Sequence, residues 1–211
     1  MSWEHFIKHN LDHNEAQEIN DPQRKWKETL RRLDKVVDKR GMPIDAGIKE
    51  TVAALQCLGF ETEASCEGHL HRNRNHADVG WKSLAPWVQV SFLPAGLRER
   101  IRQAQKRAGG RWNDAQVQHL VKEGEAAMGA GATQIFALLD EFYRQRNVPF
   151  ERRLILDFYP DSVRLESQGT EMQQYCSPET QEEKLKDFRE ELAEFTEFMK
   201  QRFFSQAQQT N

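Results

Sequence analysis

The side chains best suited to chemistry are concentrated between Cys66 and His71, a segment that contains a thiol, a carboxylate, a glycine and two imidazoles. The residues just before it, 60–65, are predicted to form a strand, and binding sites of α/β proteins commonly lie at strand ends. Cys66, Glu67 and His69 are therefore the candidate catalytic residues.

Each of these three side chains has a chemical and a structural interpretation. The Cys66 thiol can act as a nucleophile when an imidazole and exposed backbone amides lie beside it. Glu67 and His69 are two residues apart, so on an extended segment they project to the same side and can serve as an acid and base pair. The structural alternatives are a buried thiol at the strand end, and two polar side chains that brace the loop through hydrogen bonds.

His69 and His71 are also the candidate metal ligands, with Glu67 beside them and His76 or Asp78 further along the loop. Imidazole nitrogens and carboxylate oxygens suit zinc or another transition ion, and strands can present a His-x-His pair to one ion. A divalent metal is thus one expected cofactor. Three further histidines stand four residues apart along the predicted N-terminal helix over 3–12 and just past its end: His5, His9 and His13. Surface histidines also reach this spacing by chance.

Further ligand-binding residues are expected around the same turn. Gly68 indicates either a positive φ or a close approach of a ligand to the backbone. The loop from 68 to 85 is long and polar, and loops of this length are usually functional or mobile. The full set comes from the preceding helix, the turn, the loop and the next strand: Asp45, Lys49, Ser65, Gly68, Arg72 and Trp87.

The elements that position these residues follow from apolar periodicity and turn signals. Strands are predicted over 60–65, 87–92, 153–159 and 162–168, the last two as a hairpin around Pro160-Asp161. Helices are predicted over 3–12, 23–39, 96–108 and 181–204, with one begun by Asp45 as its cap and ended by Gly59, and a helical region over 113–145 interrupted at Gly129-Ala-Gly131.

These elements predict an α+β fold in which a small, mainly antiparallel sheet of three to four strands packs with six to seven helices. The expected domains are a helical segment over 1–42, the α+β domain over 43–204 and a disordered tail over 205–211.

The composition favours a folded protein in a reducing compartment. Of the 211 residues 30% are charged and 38% hydrophobic, with a net charge of −3. The three cysteines are irregularly spaced, which argues against a disulfide framework or a thiol zinc finger. The sequence has no long apolar run, so we expect a cytoplasmic location and no membrane partner.

Basic residues cluster at 98–111, whereas acidic residues dominate 171–197. This asymmetry favours an anionic ligand or a nucleic acid at the basic end. The alternative is that both clusters are solvated helix faces.

The motif Ser65-Cys66-Glu67-Gly68-His69, between a strand and a Trp-initiated strand at Trp87, resembles the core of the tRNA wybutosine-synthesis methyltransferase family. That family has Ser-Cys-Ser-Gly-Arg, so Glu67 and His69 depart from its pattern. The resemblance implies S-adenosylmethionine as cofactor and a modified RNA base as product. It also implies phosphate contacts by four arginines: Arg72, Arg74, Arg98 and Arg102.

The same five residues, followed by Pro86-Trp87-Val88, are also similar to a motif in uncharacterised bacterial and phage proteins. Two classes of function remain open. The first is a catalytic or ligand-binding domain that works at the Cys66–His71 turn on a small molecule, a nucleotide or RNA. The second is a non-catalytic interaction protein, a regulator or inhibitor of a larger assembly, that presents the charged faces of helices 23–39 and 181–204 to a protein partner.

Overall fold

The computed structural model describes residues 21–70 and 84–209. These residues form six α-helices, one 3-10 helix and four strands. In chain order they are α1 (Pro22–Leu33), α2 (Lys49–Cys57), β1 (Glu61–Cys66), β2 (Trp87–Ser91), α3 (Leu97–Arg107), α4 (Ala115–Tyr143), the 3-10 helix Phe150–Arg152, β3 (Leu154–Tyr159), β4 (Ser162–Ser167), α5 (Thr170–Gln173) and α6 (Pro178–Gln209). The predicted α+β class, with a small antiparallel sheet, is confirmed.

The sheet has the strand order β1-β2-β4-β3, and every neighbouring pair is antiparallel. Because side chains alternate along each strand, one face carries the apolar side chains Val88, Val90, Val163 and Leu165, all 0% exposed. These four belong to one apolar core with side chains of α1, α2, α4 and α6. The helices therefore cover this face of the sheet.

The register also defines the opposite face, which we call the polar face. Cys66 pairs with Trp87, and Trp87 pairs with Glu166, so these three side chains lie in one row across β1, β2 and β4. A neighbouring row holds Gln89, Arg164 and Asp157. The polar face thus includes Cys66, Trp87, Gln89, Asp157, Tyr159, Ser162, Arg164 and Glu166, and the apolar Ile155 lies on it opposite Glu166.

The core is built from the periodic apolar residues of the helices. On α2 and just before it, Ile48, Val52 and Leu55 are at most 2% exposed. The α6 stripe contributes Phe195 and Met199, both fully buried. Because these side chains recur at helical spacing, each long helix presents one continuous apolar face to the sheet.

The helix α4 is continuous through Gly129-Ala-Gly131, so the predicted interruption there is wrong. Gly131 is buried and faces the ring of Phe92, which would collide with a Cβ at this position. A glycine here permits close packing of the helix on the chain after β2, and a break is not needed to explain it.

The helix α1 ends at Leu33, six residues before the predicted end at 39. The chain turns instead: the Asp38 carboxylate accepts hydrogen bonds from the backbone N–H groups of Arg40 and Met42, at 2.8 and 2.9 Å. These two bonds hold the pKa of Asp38 below its usual value. Gly41 has φ +78°, which the turn requires.

Residues at both ends of the described chain join the main body. Trp26 and Leu33 of α1 are 8% and 2% exposed and belong to the same core as the sheet. At the other end α6 continues to Gln209, into the predicted tail over 205–211. The predicted helix over 3–12 lies outside the described residues, as do His5, His9 and His13. Within the described part of the chain, no helix is both long and apolar enough to cross a membrane.

Candidate functional site

Asp45, Cys66 and His69 converge at one end of β1. Cys66 is the last residue of β1, His69 follows the turn after it, and Asp45 lies in the loop before α2. One oxygen, the sulfur and one ring nitrogen of these residues all lie within 4.8 Å of one another. Cys66 is buried, whereas the side chains of Asp45 and His69 are 34% and 28% exposed, so the cluster is open on one side.

Gly68 makes this turn possible. Its φ of +79° is a left-handed conformation that other residues adopt only with strain. A Cβ at this position would lie 2.7 Å from Leu185 Cδ1 and 2.8 Å from the carbonyl carbon of Ala85. The turn therefore needs glycine for its conformation and for its space, and it brings His69 back towards Cys66.

Arg189 of α6 holds the turn from the other side. Its Nε donates to the carbonyl oxygen of Glu67 at 2.9 Å, and its Nη2 donates to that of Gly68 at 2.7 Å. The sequence alone does not mark this arginine, because it lies 121 residues from Gly68 in a helix with many charged residues. No local pattern distinguishes it from its neighbours.

The Asp45 carboxylate joins the loop before α2 to the turn. Its Oδ2 accepts a hydrogen bond from the backbone N–H of Glu67 at 3.1 Å and lies 3.2 Å from Nε2 of His69. The prediction that Asp45 caps the helix is wrong, because α2 begins at Lys49 with Ile48 as its N-cap residue. Because Asp45 does not cap the helix, its carboxylate can bond to the turn after β1 instead.

Glu67 connects the same two loops. Its Oε2 accepts a hydrogen bond from the backbone N–H of Gly47 at 2.8 Å, and its Oε1 lies 3.6 Å from Nη2 of Arg189. A Cβ on Gly47 would lie 2.6 Å from that Oε2, so glycine permits this contact. These contacts favour the bracing role for Glu67.

The other predicted ligand-binding residues lie in different places. The ammonium of Lys49 forms an ion pair with Asp34 at 2.7 Å. Ser65 pairs with Val88, so its side chain points to the helix-covered face, whereas Trp87 pairs with Cys66 on the polar face. His71 and Arg72 lie outside the described residues, as do His76 and Asp78. The metal pair of His69 and His71 stays a prediction.

The polar face holds a carboxylate that the sequence analysis missed. Glu166 is only 6% exposed. Burial is the main cause that raises its pKa to about 7; Arg164 lowers it, and the negative charges of Asp157 and Glu171 raise it further. The signal was present in the alternation of β4, which places Arg164 and Glu166 on one side and Val163 and Leu165 on the other.

Three arginines of the basic cluster are paired with carboxylates. Arg98 forms ion pairs with Glu63 and, at 2.8 Å, with Asp161. Arg100 donates two hydrogen bonds to Glu123, and Arg102 forms an ion pair with Glu99. Arg98 and Arg102, predicted as phosphate contacts, are thus already compensated by acids of this chain.

Comparison of the chain with protein-family models, with curated proteins and with solved structures finds no match in any of the three. The resemblance of the Ser65–His69 motif to the wybutosine-synthesis family therefore stays a prediction.

Proposed function

We propose that the protein is a metal-dependent, ligand-binding or catalytic domain whose centre is formed by Asp45, Cys66 and His69. The observation that carries this proposal is the convergence of three different donor types, whose ligand atoms lie within 4.8 Å of one another. A thiolate, an imidazole and a carboxylate are the ligands that zinc takes in proteins.

The described residues supply three ligands, and the number of protein ligands bears on what such a centre would do. Structural zinc sites usually have four protein ligands, whereas catalytic sites have three and leave one position for water or substrate. A metal in an open site lowers the pKa of bound water and polarises a bound carbonyl or phosphoryl oxygen. The exposed side of the cluster, at Asp45 and His69, gives a small ligand access to that position.

The surrounding residues orient the ligands. The backbone N–H of Glu67 donates to Asp45, which fixes the carboxylate. Arg189 fixes the carbonyls of Glu67 and Gly68, and so fixes the backbone between Cys66 and His69. Such outer contacts typically change metal affinity by about 10- to 100-fold when they are lost.

Cobalt titration tests this proposal. We expect the full chain, reduced and free of metal, to bind one Co²⁺ and to develop a thiolate-to-cobalt charge-transfer band. Cys66→Ser should abolish the band. Asp45→Asn and His69→Gln should weaken Co²⁺ binding by more than about tenfold, because the loss of a contact that merely orients a ligand already lowers metal affinity by about 10- to 100-fold. Three variants of the same residue types outside the cluster serve as controls and should bind as the wild type does: Cys176→Ser, Asp140→Asn and His119→Gln. A wild-type protein without the band would contradict the proposal.

A thiol nucleophile is the second candidate, favoured by the 3.2 Å contact between Asp45 Oδ2 and His69 Nε2. In this arrangement His69 takes the proton of the Cys66 thiol, and Asp45 stabilises the resulting imidazolium. Alkylation of the metal-free protein by iodoacetamide distinguishes the two candidates. A nucleophilic Cys66 would react faster than Cys176, and Asp45→Asn would slow that reaction.

The nature of the ligand stays a prediction. S-adenosylmethionine as cofactor follows from the motif resemblance alone, whereas a nucleotide or RNA ligand follows from that resemblance and from the basic cluster at 98–111. The ion pairs of Arg98 and Arg102 give an RNA ligand no added support. The alternative of a non-catalytic interaction protein predicts that a triple variant without Asp45, Cys66 and His69 keeps its partner binding.

A further inference from the structure

β3 is an edge strand, and alternate backbone groups along it face away from the sheet. The strand order β1-β2-β4-β3 gives β3 one neighbour, β4. The carbonyl oxygen of Arg153 accepts a hydrogen bond of 2.8 Å from the segment after β4, so the backbone of Arg153 faces β4. The N–H of the next residue, Leu154, faces the open side and donates to Oη of Tyr143 in α4 at 2.8 Å. Because these directions alternate along a strand, the N–H and C=O groups of Leu156 and Phe158 also face the open side.

The open side of β3 has no second strand in the described part of the chain. Outside the β3–β4 ladder, no described group forms a hydrogen bond with the backbone of Leu156 or Phe158. Backbone polar groups are nearly always paired in folded proteins, so these groups depend on water or on an added strand. Leu156 buries its side chain in the core, whereas Phe158 is 55% exposed, so a peptide first meets the strand at Phe158.

The other edge of the sheet is protected against a further strand. The register of β1 shifts between Thr62 and Ala64, so the residue between them lies in a bulge. That residue, Glu63, forms an ion pair with Arg98. Bulges and charged side chains are the devices by which proteins keep further strands from pairing at an edge. By contrast, β3 pairs with β4 without a shift over its whole length and contains no proline, glycine or lysine, so its edge is open.

Two half-exposed aromatic rings lie beside this open edge. Phe158 of β3 and Phe136 of α4 are 55% and 47% exposed, and their ring centroids lie 6.3 Å apart with the rings stacked. Phe158 points to the same side of the sheet as the buried Leu156, because side chains two residues apart share a face. Side chains of an added strand that point to this side would cover both rings and remove apolar surface from water.

The other side of β3 carries a negative charge at the open edge. Arg164 lies opposite Asp157 in the β3–β4 register, but its ion pair is with Glu166, so Asp157 has no ion pair among the described residues. A residue of an added strand directly opposite Asp157 would place its Cβ about 4.5–5.5 Å away, where a lysine or arginine forms a cross-strand pair.

A second copy of the chain fits this edge less well than a basic peptide does. The pairing that uses both groups of Leu156 and Phe158 sets Leu156 of one copy against Phe158 of the other. The two Asp157 side chains then lie directly opposite each other, and like charges in this position destabilise the pair.

We propose that β3 binds an extended peptide segment of a partner protein as a fifth strand of the sheet, and that this segment carries a basic residue between two apolar ones. The backbone of Leu156 and Phe158 supplies the hydrogen bonds, Asp157 pairs with the basic side chain, and the apolar side chains cover the two aromatic rings. This interaction surface goes beyond the metal centre and does not depend on it, because β3 and β1 are opposite edges of the sheet.

The test is an NMR titration of the ¹⁵N-labelled full chain with the capped peptide Thr-Ser-Val-Lys-Val-Ser-Thr, in the presence of a metal chelator. We expect saturable shifts and slowed hydrogen exchange at the amides of Leu156 and Phe158. The same peptide with glutamate in place of lysine should bind about tenfold more weakly, since it sets a like charge against Asp157.

Backbone N-methylation of the peptide distinguishes strand addition from loose contact with the aromatic rings. In the proposed register the N–H groups of the two valines face β3, whereas the N–H of the lysine faces away from it. N-methylation of either valine should therefore abolish binding, and N-methylation of the lysine should leave it unchanged.

Variants attribute the charge preference to Asp157. Asp157→Asn should weaken binding of the lysine peptide by about threefold and reduce its advantage over the glutamate peptide. Glu61→Gln, at an exposed acid of the opposite edge strand β1, should change neither value. Equal binding of the lysine and glutamate peptides, or undiminished binding of the valine-methylated peptides, would overturn the proposal. So would protection of the Leu156 and Phe158 amides by a rising concentration of the chain alone, because a second copy would then occupy the edge.

Discussion

Oδ2 of Asp45 lies 3.2 Å from Nε2 of His69 and 3.1 Å from the backbone nitrogen of Glu67, so one carboxylate oxygen joins the loop before α2 to the turn after β1. This contact brings together residues that are 24 positions apart in the chain. It places a carboxylate beside the thiol of Cys66, and the candidate site depends on it.

Gly68→Ala should destabilise the protein more than Gly41→Ala. Both glycines have a positive φ, and the strain of alanine in this conformation is about 1–2 kcal/mol. Only Gly68 would also place its Cβ against Leu185 and Ala85, because no atom lies within 4 Å of a Cβ at Gly41. Urea unfolding of both variants measures the difference. Equal losses of unfolding free energy in the two variants would show that the contacts of Gly68 do not constrain the turn.

Arg189→Ala should weaken Co²⁺ binding by about tenfold or more, since it removes two hydrogen bonds to the turn that carries Cys66 and His69. Lys186→Ala on the same helix, which removes an exposed ion pair with Glu190, is the matched control and should bind as the wild type does. Arg189→Lys should not restore binding, because one ammonium cannot reproduce the two directed guanidinium bonds. Unchanged affinity in Arg189→Ala would mean that the turn holds its shape alone.

The stability of the protein should fall as Glu166 ionises. Its pKa is raised in the folded state, from 4.5 to about 7, so the folded protein holds this proton more tightly than the unfolded chain. The contribution of Glu166 to the free energy of unfolding is therefore complete below a pH of about 4.5. This contribution, roughly 3 kcal/mol, is lost as the pH rises to about 7.

Glu166→Gln removes this dependence. The difference in unfolding free energy between Glu166→Gln and the wild type should increase in favour of the variant over that range and level off above it. Glu61→Gln is the control and should show no such increase. A difference that stays constant from pH 4 to 8 would mean that folding does not raise the pKa of Glu166.

Two glycines of α4 should respond in opposite ways to alanine. Gly129 has open space around its Cβ position, so Gly129→Ala should stabilise the helix by about 0.5–1 kcal/mol. Gly131→Ala would place a methyl group against the ring of Phe92 and should destabilise the protein by about 1–3 kcal/mol. Thermal unfolding of both variants shows whether each substitution stabilises or destabilises the protein. Stabilisation by both would contradict the close packing of α4 on Phe92.

The secondary structure was predictable where local periodicity determines it. The alternation of residues 162–168 and the apolar stripe of α6 follow directly from burial on one side of each element. The predicted break at Gly129-Ala-Gly131 failed because helix propensity is local, whereas the contact of Gly131 with Phe92 is tertiary. The end of α1 was missed for a similar reason, since the turn at Asp38 competes with an apolar pattern that continues through Val36 and Val37.

The location of the candidate site was predictable, but its composition was only partly so. Cys66, His69 and Asp45 were each identified from residue type and position. Their mutual approach was not, because it requires the loop before α2 to meet the turn after β1. Arg189 was missed, since it acts on residues far away in the chain and belongs to no local motif. Glu166 was missed although the alternation of β4 places it on the face opposite Val163 and Leu165.

The most direct test of the metal centre is X-ray absorption of the zinc-loaded full chain. We predict one sulfur neighbour at about 2.3 Å and nitrogen or oxygen neighbours at about 2.0–2.2 Å. Loss of the sulfur neighbour in Cys66→Ser, but not in Cys176→Ser, would assign it. A coordination shell without sulfur, or one with two sulfurs, would contradict a centre formed by Asp45, Cys66 and His69.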